Sequence, residues 1–317
     1  DWGYHGNTNG LIDVSPYKFN RKGGRGKPDH VEIAELADPY RGRFKGSGEN
    51  SGIAYAASVA EKVELIREKT GQGPAAFIAE AISGCGGQVF FPDAYLKTAA
   101  EHVRKAGGLV IVDEVQTGFG RVGSHFWAHA LQGAVPDIVT LGKPIGNGHP
   151  MAALVTTREV AASFNNGMEY FNTFGGNPVS CAVGLKVLEI IARDRLRDNA
   201  KAVGDYLLAR FRDMQARHEC IGDVRGMGRH QRWHACHDDL FDDRPGSGSA
   251  EAHPPHAGIT GLGDRRRAFA LTDPDHDLAG TESVAQARQF LVVEGQRVQV
   301  DGARGALVGR QGLQQAR

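Results

Sequence analysis

The chain has 317 residues, enough for one large α/β domain or two ordinary ones, and enough to bury a core without disulfide staples. Hydrophobic residues make up 41% and the formal net charge is zero, so neither nucleic acid nor a membrane surface is indicated as a partner. Cys85, Cys181, Cys220 and Cys236 are widely spaced with no CxxC, which suits a reducing, cytoplasmic setting; no signal peptide and no apolar run of about 18 residues appears.

Residues 1–52 read as loop and short strand, rich in glycine and charge, with turns at Gly23-Gly24 and around residues 46–52. Residues 53–69 form an amphipathic helix ending near Gly71, and 75–82 (AAFIAEAI) a buried strand. Residues 93–105 are helical. Strands follow at 109–112, 138–141 and 152–156, then long helices at 178–193 and 196–217. This alternation predicts a mostly parallel α/β sheet with helices on both faces. Such sheets place chemistry at the carboxyl ends of their strands. Asp113 ends one apolar strand and Lys143 follows another, so the two should share a crevice.

From residue 229 onward the composition changes: eleven arginines and six histidines, no lysine, tyrosine, asparagine or methionine, and one isoleucine, Ile259. Glycine, proline and aspartate interrupt the tail repeatedly. The expected division is 1–228 as a partial large domain and 229–317 as a low-order tail. A reading-frame shift near Gly228 in a GC-rich gene accounts for the break; a linker into a fused domain is the alternative.

A carboxylate and a lysine at neighbouring strand ends suit pyridoxal phosphate. The acid keeps the pyridine nitrogen protonated and the amine holds the aldehyde as a Schiff base. DEVQTGFGRVG (113–123), LGKPIGNGHP (141–150) and FNTFGGNPVSCA (171–182) occur in order, and from Tyr4 to about Gly228 the chain resembles the class III, fold type I aminotransferases. The resemblance makes Lys143 the Schiff-base lysine and general base, with a desolvated site that lowers its pKa, and Asp113 the pyridinium partner. It sets Val115 against one ring face and Tyr4 against the other, with His5 beside it. Gln116 then bonds the ring hydroxyl, Glu80 belongs to the cofactor pocket, and Thr173 reaches the phosphate of a neighbouring subunit's cofactor, implying a homodimer with shared sites.

The chain opens at Asp1 inside a motif and reads as a fragment lacking the family's own-chain phosphate loop. Cys85 stands where the family commonly has a second glutamate. That departure, with GCGGQ and GKPIGNGHP, resembles the amine-phosphate phospho-lyases and their aminotransferase relatives. The expected activity is transfer of an amino group from an amine or amino acid to a keto acid. The alternatives are a phospho-lyase acting on phosphoethanolamine-like or phosphohydroxylysine-like substrates, and an inactive fragment. The fragment alone is expected to bind pyridoxal phosphate weakly or not at all, with no aldimine absorbance at roughly 410 to 430 nm.

Two other patterns compete. Residues 118–123 match GxGxxG, but five residues separate them from the strand end, where a dinucleotide fingerprint needs the first glycine in the turn itself. His230, His234, Cys236 and His237 invite a zinc reading but match no standard ligand spacing.

Overall fold

The computed structural model describes residues 1–235, 291–293 and 296–298. The opening is largely loop, as expected, but in place of short strand it carries two short helices, α1 (Asn9–Asp13) and α2 (Pro16–Phe19), followed by extended and turn segments. Pro16 takes the first position of α2, where its missing N–H costs nothing. Next come α3 (Glu49–Thr70), β1 (Ala76–Glu80), α4 (Tyr95–Lys105), β2 (Leu109–Asp113), β3 (Ile138–Leu141), β4 (Ala153–Thr156) and α5 (Arg158–Phe164). Helices α6 (Pro178–Arg193) and α7 (Leu196–Arg217) lie at the bounds read from periodicity.

Strands β1, β2 and β3 are parallel, with Glu80 opposite Asp113 and Asp113 opposite Thr140. Strand β4 returns antiparallel to β3, pairing Ala153 with Leu141. The register sets Glu80 and Asp113 side by side at one sheet end, three residues before the level of Lys143.

Side chains alternate across the pleat. Phe77, Ala79, Val110, Val112, Val139, Leu141, Ala153 and Val155 share one face by register. Helix α4 packs on β1 and β2, and α3 on α4, with Tyr55, Ala56, Val59, Leu96, Ala99 and Val103 buried at helical spacing. Each fully buried aliphatic side chain there contributes about 1.5–3 kcal/mol. The opposite face is less covered: Ile78, Ile111 and Ile138 are half-buried and Leu154 is 43% exposed. The expectation of helices on both faces is therefore only partly met among the described residues. Apolar strands register what a face requires, not whether this chain supplies it.

Strands β5 (Ile221–Met227) and β6 (His230–Ala235) form an antiparallel hairpin that crosses the compositional break at Gly228. Strands β7 (Leu291–Val293) and β8 (Gln296–Val298) extend the main sheet beside β4, Val292 pairing with Leu154. The remainder of the 229–317 tail lies outside the described residues.

The GxGxxG string has a structural account. Gly123 adopts φ +80°, and a Cβ built on it would meet Lys201 Cα at 2.7 Å. The glycines let this turn lie against α7. No helix opens directly after them, since residues 124–127 are bend and coil and the next turn of helix is a short 3-10 segment, Ala128–Gln132. Cys236 and His237 lie outside the described residues, and His230 Nδ1 pairs with Gln88 Oε1 at 3.0 Å.

Candidate active site

A cavity of about 120 Å³ at the carboxyl end of β1, β2 and β3 is lined by Tyr4, His5, Gly6, Glu80, Ile82, Asp113, Val115, Gln116, Thr117 and Lys143. Seven of the eight residues singled out from the sequence meet here; Thr173 does not.

Asp113 is buried at the end of β2, and its carboxylate is held from two sides. Oδ1 accepts the Val115 amide at 2.9 Å, and Oδ2 accepts His5 Nδ1 at 2.9 Å. His5 is itself braced, its amide donating to Ser15 Oγ at 2.9 Å and Ser15 Oγ donating to Leu11 O at 2.5 Å. The imidazole next to Tyr4 thus fixes the acid from outside the strand. The sequence set His5 beside Tyr4 in the cofactor pocket but gave no sign of its bond to Asp113, because a contact across 108 positions leaves no local signal.

Glu80 accepts the Gly84 amide at 2.9 Å through Oε2. Burial, reinforced by the neighbouring Asp113 charge, pushes its carboxyl up to about 7, against the Gly84 bond and the Lys143 charge, which pull it down. Near neutrality both its protonated and ionised forms are therefore accessible, and it can serve as donor or acceptor. Gly84 lacks a side chain where one would collide with Gln116 Oε1 at 2.8 Å, so the Gln116 amide has room on the pocket wall.

Lys143 opens a 3-10 turn, Lys143–Ile145, between buried Gly142 and buried Pro144. Its φ of +35° is a left-handed conformation that costs a non-glycine residue about 1–2 kcal/mol. The fold therefore holds its backbone at the pocket edge against a local preference. The side chain is exposed, not desolvated as the sequence suggested. It stands on the pocket's open lip, with nothing closing over it among the described residues.

One buried network escaped sequence reading altogether. Glu114, fully buried, accepts His129 N at 2.8 Å and His129 Nδ1 at 2.9 Å on Oε1, and the Thr117 hydroxyl at 2.6 Å on Oε2. Its amide donates to Thr140 O on β3 at 3.0 Å, and its carbonyl accepts Gly118 N at 3.0 Å. Glu114 therefore locks the loop carrying Val115 and Gln116 to the strand that leads to Lys143. The signal available in the sequence was only an acid in an otherwise apolar setting.

Thr173 is exposed on the segment before α6. The amides of Phe174 and Gly175 donate to Asn172 Oδ1 at 3.2 and 2.8 Å, and that of Ser180 donates to the Asn177 cap at 2.9 Å. These local bonds occupy the backbone amides that lead into α6. Cys85 is half-buried, and burial pushes its thiol up, so it is a packed neutral group.

The family model for aminotransferase class-III matches residues 1–237. The chain is 48% identical over 232 residues to "Alanine--glyoxylate aminotransferase 2-like" of Drosophila melanogaster, covering 72% of this chain and 47% of that protein. It is 43% identical over 235 residues to "Ethanolamine-phosphate phospho-lyase homolog 1" of Caenorhabditis elegans, covering 71% and 50%. The chain thus spans about half the length of these relatives. Among solved structures it resembles a phospholyase from Arthrobacter in complex with phosphoethanolamine, with TM-score 0.65 and 35% identity, covering 72% of this chain and 53% of that one. An omega-transaminase from Thermomicrobium roseum gives TM-score 0.63 and 34% identity, covering 72% and 50%. The α/β architecture is that of these enzymes, and this chain belongs to the class III aminotransferase family.

Proposed function

We propose that this chain carries the lysine-bearing half of the active site of a pyridoxal-phosphate-dependent aminotransferase, which moves an amino group from an amine or amino acid to a keto acid. The observation behind it is that Asp113 and Lys143 line one cavity with Tyr4, Glu80, Val115 and Gln116. The donor set fits the cofactor: a buried acid for a ring nitrogen, apolar and aromatic walls for ring faces, and an amide and a protonatable carboxyl for ring oxygens. When bound, pyridoxal phosphate supplies an electron sink for the carbon next to the substrate nitrogen.

The chain's own residues do the rest. Lys143 Nζ would hold the cofactor's aldehyde carbon, and as a free amine it would move the proton at the substrate carbon. Asp113, steadied by His5 and the Val115 amide, would keep a ring nitrogen set against it protonated. Val115 and Tyr4 hold the ring faces, and Gln116 bonds the ring hydroxyl.

A second reading, a phospho-lyase, draws support from the two phospho-lyase relatives. It uses the same residues, but the electron pair left by proton removal expels a phosphate from the next carbon. Incubation with phosphoethanolamine, with and without a keto acid, separates the two. Phosphate release that needs no acceptor overturns the aminotransferase reading.

The homodimer belongs to the same proposal. Phe164, Met168, Tyr170, Phe171, Phe174 and Val179 are exposed around Thr173, which supports a subunit contact there. The division at Gly228 and the frame shift are also proposed, although the family match runs to residue 237. An intact frame on resequencing the DNA removes that idea. Among the described residues no helix is long and apolar enough to cross a membrane. A cytoplasmic location rests on cysteine usage alone; the similar alanine–glyoxylate aminotransferase 2 proteins of Homo sapiens and Arabidopsis thaliana are described as mitochondrial.

Borohydride trapping after incubation with pyridoxal phosphate tests the cofactor assignment, because it captures even weak occupancy. The expected result is a pyridoxyl adduct on Lys143, found by peptide mass mapping and missing from Lys143→Ala. Labelling confined to other lysines removes the assignment.

A further inference from the structure

We propose that His149 is a positioning residue for Lys143: through Ser180 it pins the turn that carries the lysine to the start of α6. This role rests on the cofactor-pocket reading above and adds to it the group that sets where the amine stands.

The turn after β3 does not keep its shape by local preference. Lys143 and Asn147 take φ of +35° and +45°, left-handed values that side chains rarely adopt, and Gly148 takes +104°. Its own backbone bonds are short-range: Ile145 N donates to Gly142 O at 3.1 Å, Asn147 N to Pro144 O at 3.2 Å and His149 N to Gly146 O at 2.9 Å. Such bonds close the turn on itself but do not place it on the rest of the fold.

Two kinds of contact do, and apolar packing is the first. A Cβ built on Gly142 would meet Val115 Cγ1 at 3.2 Å on the pocket side, and one on Gly184 of α6 would meet Met151 Cε at 2.8 Å on the other. Ile145 lies in one cluster with Leu141 and Ala153, against Met151 and Ile191. These contacts exclude water but have no direction, so they tolerate rotation of the turn.

The second is a hydrogen bond between His149 Nε2 and Ser180 Oγ at 2.8 Å, both residues being half-buried. Among the described residues it is the one side-chain hydrogen bond that joins residues 142–150 to another element. A bond of this length is directional and fixes the register that packing leaves loose.

The partner is itself held. Asn177 Oδ1 accepts the Ser180 amide at 2.9 Å, which makes the other terminal atom of Asn177 the nitrogen. That nitrogen donates to Phe174 O at 2.8 Å and to Ser180 Oγ at 3.0 Å. The Ser180 oxygen keeps one hydrogen and one lone pair, so it serves His149 Nε2 in either tautomer. A continuous polar chain therefore runs from Phe174, beside Thr173, through Asn177 and Ser180 to the turn of Lys143.

The test compares two reactions of one amine in the full chain. Borohydride trapping of pyridoxal phosphate on Lys143 needs the amine in place, whereas carbamylation of the same amine by cyanate, a small reagent, does not. Both are read by peptide mass mapping, and the quantity is the ratio of their rates. His149→Ala and Ser180→Ala are each expected to lower this ratio roughly three- to tenfold, as for loss of one hydrogen bond. The double variant should lower it no further, since both changes remove the same bond. His149→Gln sets an amide where Nε2 stood and should restore most of the ratio. A merely structural defect moves both rates together, so a ratio unmoved in His149→Ala overturns the role. So do additive effects of the two alanine variants, which signal independent defects.

If Lys143 of the unsubstituted chain traps no cofactor, the cofactor reading falls by itself, and hydrogen exchange without cofactor decides whether His149 pins the turn. The Ile145 and Asn147 amides should then exchange roughly three- to tenfold faster in His149→Ala and return towards the original rate in His149→Gln. Unchanged exchange in His149→Ala overturns the role.

Discussion

Residues 113–118 and 171–177 carry equally specific motifs, yet they sit in opposite surroundings. In the first, Glu114 is fully buried and Asp113 is 6% exposed, and their polar atoms find partners on β3, on His129 and on His5. In the second, Phe171 is 78% and Phe174 81% exposed, and the side-chain bonds run to near neighbours, through Asn172 and Asn177. Both loops form, because each is closed by its own turn chemistry. Only the first is finished within this chain. Burial separates a motif whose working surroundings are present from one whose apolar side chains still face water.

Four experiments break or sharpen that contrast. The largest effect is expected from Glu114→Ala, which removes an acceptor serving three buried donors and should cost about 3–5 kcal/mol in denaturant unfolding. An unchanged midpoint shows that the network adds nothing and that the first loop is no better fixed than the second.

The next effect depends on pH. Glu80 is raised from 4.5 to about 7, so the folded state keeps a proton that the unfolded chain gives up above 4.5. Its contribution is complete below about 4.5 and is lost as pH rises through about 7, a change of about 3 kcal/mol. His230 runs the other way. Burial lowers it from 6.5 to about 4, so its contribution is complete above 6.5 and is lost as pH falls through about 4. Between these limits the two slopes oppose each other. Glu80→Gln should therefore expose a stability that rises with pH from about 4 to 6.5, read from melts across that range. A variant curve parallel to the wild type means that Glu80 titrates normally.

Gly123→Ala comes third. It places a Cβ at φ +80° against the α7 backbone and should cost about 2 kcal/mol. A neutral result means that α7 shifts freely against the turn following the first loop. The smallest stability effect belongs to Phe171→Ser and Phe174→Ser, within about 0.5 kcal/mol for the isolated subunit. Sedimentation should nevertheless show a loss of self-association. If both variants sediment like the wild type, the exposed segment is not the subunit contact.

The strands and long helices were legible because periodicity is local: apolar runs marked β2 and β3, and α6 and α7 matched their expected bounds. Residues 1–52 were misread as partly stranded, since short helices such as α1 and α2 carry too few turns for a period to show. Residue type and position at strand ends pointed to Asp113 and Lys143; Val115, Gln116, Tyr4 and Glu80 were named only through the family resemblance of the motifs.

Contacts between distant positions were beyond that reading. The bond from His5 to Asp113, the Glu114–His129 network and the left-handed backbone of Lys143 depend on strand register and on loops meeting across the sheet end. So does the exposure of Lys143, whose site was expected to be desolvated. By itself the sequence determined the α/β class, which follows from local pattern, and the family and reactive groups, which follow from the resemblance of its motifs. Only the tertiary structure decided how those groups are braced and which of them are covered, because desolvation and long-range hydrogen bonds exist only once distant segments are packed together.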